Sequence, residues 1–371
     1  MIELKKVAHY VSDKIETSAL DIKDYVSTDN MLPYRGGVNG CECLPQDAKV
    51  TKYSSGDILV SNIRPYFKKI WFADRSGGCS NDVIVFRTND EKADAKFLYY
   101  VLSQESFFDF MMSGANGTKM PRGNKKLILD FKIPNYDIKN QKCIASILSA
   151  YDELIENNKK QIKLLEEAAQ RLYKEWFVDL RFPGYEDVEI VDGLPSGWNY
   201  SDFSEEVKYI TGKLDSNAAV ENGRYSFYTC AKEKYKTNTF CFEGECVLLG
   251  GNNATGDFSL FYANEKLDVY QRTYIVTPKN SLLSCPYIYL VLKNYLTQLK
   301  NASNGSTTKF LTKGILDKIK VLIPYSNVAS QFGEITKNMF NEIIELKAQN
   351  EKLQEARDRL LPKLMSGEVE V

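Results

Sequence analysis

The feature that most constrains this chain is that it says the same thing twice. "LLEEAAQRL" (164–172) returns as "KLQEARDRL" (352–360), 188 residues later. The similarity extends outward in unchanged order. "YVSDKIETS" (10–18) matches "YITGKLDSN" (209–217), and "GDILV" from Gly56 matches "GECVL" from Gly244. "VFRT" (85–88) matches "IVTP" (275–278), and "FLYYVL" (97–102) matches "YIYLVL" (287–292). "NGTK" (116–119) matches "NGSTTK" (304–309), and "FKIP" (131–134) matches "VLIP" (321–324). A period near 190 residues is a duplicated domain, since solenoid repeats run to roughly 20–50 residues. The 371 residues also exceed one ordinary core.

Each copy changes character once. Short β-branched and aromatic runs such as "GDILVSNI", "KKIWFAD" and "DVIVFRT", punctuated by Gly, Asn and Ser, predict a strand-rich globule with one helix, "AKFLYYVLSQESFFDFMM". Beyond the Ile-Pro boundary, residues 143–176 contain no Gly or Pro. There Ile155, Ile162, Ala169 and Trp176 recur every seven residues, Leu165 and Leu172 fill companion positions, and Asn158 is a polar exception. Leu346, Leu353 and Leu360 repeat the spacing near the end. One such stripe alone reads as an amphipathic helix on its own globule. Two matched stripes predict a pair of long helices in an antiparallel coiled coil. The expected fold is α+β: two strand-rich mixed domains in tandem pseudo-twofold repeat, separated by the two helices. The expected boundaries are 1–142, 143–180, 181–330 and 331–371. A helix of about 30 residues is roughly 45 Å long, about four-thirds of a DNA turn, so the layout predicts a bipartite reader.

The net charge of −1 argues against a polyanion partner until its distribution is examined. Residues 207–330 hold 15 Lys and Arg against 9 Asp and Glu, and residues 119–142 hold 7 against 2. Residues 182–206 hold none against 7. Two basic lobes flank an acidic strip, and local basic surface is what DNA requires. No run approaches the roughly 20 apolar residues of a membrane span. "MIELKKVAHYVSDKIE" lacks the apolar stretch of a signal peptide, so a cytoplasmic protein with no membrane partner is expected. No CxxC pair occurs among the eight cysteines and His9 is the single histidine, so reduced thiols and no metal site are expected.

The chemical motifs that are missing point the same way. There is no GxxxxGK[ST] and no strand followed by GxGxxG. No Asn-Pro-Pro-Tyr-like tetrapeptide occurs, and "IPNY" (133–136) has the wrong order. One histidine leaves no His-based triad. Recognition without catalysis is the expectation, with no catalytic residue and no cofactor of its own.

Three stretches then carry a resemblance: "RLYKEWFVDLRFPGYE" (171–186), "GLPSGW" (193–198) and the terminal "RDRLLPKLMSGEVEV". With the duplicated domain–helix–domain–helix layout, the whole chain resembles the specificity subunits of type I restriction-modification systems. The N-terminus departs in lacking a "GLPSGW" counterpart. The resemblance implies that 1–142 and 181–330 are target-recognition domains, each reading half of a bipartite site in double-stranded DNA. It implies that the helices set the gap and dock two methyltransferase (modification) subunits, with restriction subunits joining the full complex. S-adenosylmethionine, ATP and Mg would sit on those partners. Two other readings stay open from the residues: a stand-alone DNA-modifying enzyme, and a coiled-coil scaffold without nucleic acid. Salt-dependent DNA binding in the partner's presence separates them.

Phosphates are held by Lys, Arg and small donors on loops, and bases are read by Arg, Lys, Asn, Gln or Thr. In the first lobe the candidates are Asn116, Thr118, Lys119, Arg122, Lys125 and Lys126, with Arg64, Tyr66, Lys68 and Lys69 from "NIRPYFKK". In the second they are Asn304, Ser306, Thr307, Thr308, Lys309 and Lys313, with Tyr228, Lys232, Lys234 and Lys236 from "YTCAKEKYK". A lone lysine in such a loop reads as a solvated charge; the return of the loop in the second copy favours the interface. Trp71, Tyr99 and Tyr289 are assigned to cores.

Overall fold

The computed structural model describes residues 1–89, 91–305 and 307–371. They form two compact units, Met1–Asn157 with Asn350–Val371, and Asn158–Gln349. Both are strand-rich with helices laid against the sheets, so the tandem α+β expectation matches the observed architecture.

The first unit holds two four-stranded sheets. One runs in the order Ala8–Tyr10, Val83–Thr88, Ile58–Ser61, Ile70–Phe72, antiparallel throughout. The other runs Lys14–Glu16, Lys49–Tyr53, Gly77–Cys79, Tyr25–Val26, with its last pair parallel. Apolar runs such as "ILV" and "VIVF" are buried on both faces, and the period of two sorts their side chains. Ile58, Val60, Ile84 and Phe86 enter a core with the helices. Leu59, Trp71, Val83 and Val85 enter a second core with Val26 and Tyr53. The helix expected over "AKFLYYVLSQESFFDFMM" is broken into Ala95–Leu102 and Glu105–Ser113. The break falls where the Ser103 hydroxyl turns back to the Tyr99 carbonyl, 2.7 Å away.

The second unit has one six-stranded sheet, Val207–Thr211, Thr273–Pro278, Phe242–Gly250, Leu260–Val269, Tyr225–Tyr228, Lys234–Thr237. Val247, Leu249, Tyr274 and Val276 face the helix Cys285–Ala302, while Cys246, Leu248 and Ile275 line the opposite core. Here the motifs quoted above show their physical job. Trp198 of "GLPSGW" packs between Phe182 and Tyr325, at centroid distances of 4.6 and 6.2 Å. Phe177, from a π-helical turn over Lys174–Val178, lies 5.9 Å from the same indole. The motifs thus tie the end of the central helix into the second unit's core.

The central helix spans Ile138–Tyr173 and the terminal helix Ser326–Ser366. Asp137 caps the first, its carboxylate accepting the Asn140 N–H at 2.8 Å, which starts the helix before the expected residue 143. In the second unit Ile162 packs with Ile343 and Leu346, Leu165 lies against them, and Trp176 meets Phe332 at 5.7 Å. In the first, Ile144 and Leu148 share a core with Leu361, Leu364 and Met365. Within each unit residue numbers fall on one helix as they rise on the other, so both segments pair antiparallel. Ile155, Ala169 and Asn158 are buried, and Leu172, Leu353 and Leu360 are half-buried. Sequence reasoning saw one stripe of the terminal helix. The companion stripe is Phe332, Thr336, Ile343, Asn350, Arg357 and Leu364, hidden in the sequence by its three polar members.

Among the described residues no helix is long and apolar enough to cross a membrane, and no group of three or more His, Cys, Asp or Glu is arranged to hold a metal. All eight cysteines are free thiols.

Candidate nucleic-acid interface

Both "NG" loops are seven-residue hairpins seated on the chain just beyond an inner strand. In the first unit the hairpin is closed by the Asn116 and Arg122 backbones, each N–H donating to the other's carbonyl at 2.9 Å. In the second it is closed by Asn304 and Phe310, at 3.2 and 2.8 Å. Gly117 and Gly305 have φ of +93° and +107°, and a Cβ at Gly305 would collide with the Thr308 carbonyl.

The seats correspond bond for bond. Asn62 N–H donates to Asp82 O (2.8 Å) and its carbonyl accepts from Gly123 N–H (3.1 Å). Gly251 N–H donates to Arg272 O (2.7 Å) and its carbonyl accepts from Leu311 N–H (2.8 Å). Ile63 pairs with Arg122 as Asn252 pairs with Phe310. The hairpins therefore align without a gap: Lys119 corresponds to Thr307, and Pro121 to Lys309. The sequence match of "NGTK" to "NGSTTK" placed Lys119 on Lys309, because a shared lysine is visible in sequence and a closing backbone pair is not.

This seating brings the two predicted basic segments of the first unit together. Arg64 N–H donates to Pro121 O at 2.8 Å, while Arg64 holds a left-handed φ of +48°. Such a φ is uncommon outside glycine and is retained at functional sites. Arg64, Tyr66, Asn116, Thr118, Lys119, Arg122, Lys125 and Lys126 are all exposed. Among the described residues, Arg64, Lys119, Lys125 and Lys126 make no ion pair. Arg122 places Nη2 3.3 Å from the Asp82 carboxylate and keeps 56 % side-chain exposure. Lys68 and Lys69 are occupied differently. Lys68 pairs with Glu105 at 2.5 Å, and Lys69 donates to the Thr28 carbonyl at 2.6 Å. Both are half-buried fasteners of the Pro65–Phe67 turn rather than open cations.

In the second unit Asn304 and Thr307 are exposed, Thr308 and Lys309 are half-buried, and Ser306 lies outside the described residues. Lys232 pairs with Asp257, and Lys309 runs beside Gly256, so both border the 252–257 loop. Lys313 lies 5.8 Å from the Tyr209 ring. Lys234 and Lys236 stand on the edge strand Lys234–Thr237. Tyr228 is a correction: it belongs to the strand Tyr225–Tyr228, is buried, and donates its hydroxyl to Glu265 at 2.7 Å. Burial leaves it no surface to offer. Arg272, which sequence reasoning missed, is exposed and stacks on Phe310 at 5.1 Å. Nothing in the sequence near "VYQRTY" signals that contact; it exists because the Gly251–Arg272 bond brings the two segments together. Trp71 is buried, and Tyr99 and Tyr289 pack half-buried against cores.

Comparison with known proteins agrees with this duplicated arrangement. The family model described as "Type I restriction modification DNA specificity domain" matches residues 36–167 and again 195–355. The MjaIX specificity subunit of Methanocaldococcus jannaschii is 25 % identical over 305 residues, covering 75 % of this chain and 69 % of that protein. The EcoDI specificity subunit of Escherichia coli is 32 % identical over 180 residues, 47 % of this chain and 39 % of that one. The crystal structure of a type I restriction-modification S subunit from M. genitalium superposes with a TM-score of 0.66 at 19 % identity, covering 98 % of this chain and 95 % of that one. Two copies of one specificity domain, each with its hairpin seated in the same way, account for most of the sequence, and the chain belongs to the type I restriction-modification DNA specificity family.

Proposed function

We propose that this chain is the DNA specificity subunit of a type I restriction-modification complex, with each unit reading one half of a bipartite duplex site. The observation that carries the reading is the repeated hairpin seat. Each hairpin with the strand entry facing it presents exposed cations and a hydroxyl on one backbone pattern, in a chain whose family is defined by DNA specificity. Phosphate contacts by Lys119, Lys125 and Lys126 would supply salt-dependent affinity, while side chains at the seats read base edges. The domains divide near 1–142 and 181–330, and the two helices set the gap and carry docking surface for two methyltransferase subunits. The chain itself performs no chemistry and needs no cofactor. S-adenosylmethionine, ATP and Mg belong to the partner subunits, and the complex works in the cytoplasm. Support for the non-catalytic role is the absence of nucleotide, cofactor and triad motifs in the sequence.

The test is methylated-adenine mapping in the source cell with and without the gene. A gapped two-part motif lost on deletion is expected; an unchanged methylome refutes the reading. Purified chain alone, incubated with labelled S-adenosylmethionine and duplex DNA, transfers no methyl group.

A further inference from the structure

The two seats share a backbone and differ in side chains, and the differences fall on facing positions. Where the first unit has Asp82 beside Arg122, the second has Arg272 beside Phe310, at the same two places in the hydrogen-bond pattern. At these two facing positions each seat therefore carries one exposed arginine, contributed from opposite sides: by the hairpin in the first unit, by the opposing strand's entry in the second. Each arginine is also held. Asp82 engages a single nitrogen of Arg122, at 3.3 Å, leaving the rest of the guanidinium fork open. The Arg272 guanidinium carbon lies over the Phe310 ring, 5.1 Å from its centroid, and no carboxylate pairs with it among the described residues. Each contact favours one placement of the guanidinium before binding, which suits a bidentate contact more than a loose phosphate contact.

We propose that Arg122 and Arg272 are the base-reading arginines of this protein, each contacting one guanine edge in its own half-site. Asp82 and Phe310 act as positioning residues for them. Lys119, Lys125 and Lys126, which make no ion pair among the described residues, contact phosphate. The duplicated frame thus gives both half-sites one arginine-read base pair. This rests on the reading of each unit as a half-site reader.

The experiment uses the full chain with its methyltransferase partner, selecting from a randomised duplex library and sequencing the bound fraction. Wild type must first return a gapped motif; failure at that step removes the half-site reading itself. Given that motif, R122A and R122K are expected to lose preference for one G·C pair in one half-site, by roughly ten- to a hundred-fold, with the other half unchanged. R272A and R272K are expected to do the same in the opposite half. Lysine keeps the charge and loses the planar fork, so it separates base reading from charge and guards against a misfolded alanine variant. D82N is expected to weaken the same base preference as R122K, to a smaller degree. An unchanged motif with uniformly weaker binding and a shallower salt slope would make these arginines phosphate contacts and overturn the proposal. A change in both half-sites from one substitution would overturn it equally.

Discussion

Replacing Asp152 by Ala tests how the terminal helix is fastened to the first unit. Asp152 accepts from Arg357 Nη1 at 2.5 Å and from the Tyr100 hydroxyl at 2.6 Å. The Arg357 and Asp152 side chains are 22 % and 30 % exposed, so the pair lies between surface and interior. Breaking a buried pair costs about 3–5 kcal/mol and an exposed one about 0–1 kcal/mol. At this exposure, D152A should destabilise the first unit by about 2 kcal/mol, with part of the loss from Tyr100 being left without its acceptor. For a unit of this size, each kcal/mol lowers the midpoint by about 2–4 °C, so a fall of about 4–8 °C is expected. Thermal unfolding followed by near-ultraviolet circular dichroism reads it. D152A, R357A and the double variant close a cycle in which the singles should not add. D358A, whose carboxylate is 51 % exposed, is the control and should change little. Additive effects of D152A and R357A, or a D152A midpoint within about 1 °C of wild type, would refute the view that these groups act as one network.

Three further outcomes follow from the same geometry. Changing Lys119, Lys125 and Lys126 together to Ala should lower the salt dependence of DNA binding by about one unit of slope per lost phosphate contact, with the melting temperature little changed. Inserting seven residues after Lys163, matched by seven after Glu345, between the Ile343 and Leu346 that pack on Ile162, keeps both seams in phase. Methylation mapping should then show the same half-sites with the gap lengthened by about three base pairs, since seven residues rise about 10 Å. Maleimide labelling of the folded chain, read by mass spectrometry, should modify exposed Cys43 and Cys143 and spare buried Cys79, Cys246 and Cys285. Burial pushes the Cys79 and Cys285 thiols up to about 12.

The duplication, the strand-rich domains and the two long helices were legible because each rests on a repeated local pattern. Ile155, Ile162, Ala169 and Trp176 announce a seam by spacing alone. The partner stripe was not legible, because Thr336, Asn350 and Arg357 occupy its positions. Their burial is made tolerable by partners no local window contains: Thr336, for instance, returns its hydroxyl to the Phe332 carbonyl at 2.7 Å. The basic hairpins were legible from "NG" and their lysines. Which cations stay open was not, since that turns on distant carboxylates such as Glu105 for Lys68 and Asp257 for Lys232. Tyr228 was misplaced because "YTCAKEKYK" looks polar from Lys232 onward, while its first residues end a buried strand.

The first unit is assembled from both ends of the chain, and this bears on how the protein is made. Leu361, Leu364 and Met365 belong to the same core as Leu4, Phe86 and Phe107. A ribosome that has translated the whole first domain has therefore not yet supplied everything that domain packs against. The nascent chain must wait through the entire second unit, with an apolar face uncovered, until residues 361–365 emerge. A premature stop after Leu353 would leave the second unit with all of its own residues and the first without its closing helix. The defect would appear as exposure of the oldest part of the chain to proteases, far in sequence from the missing end.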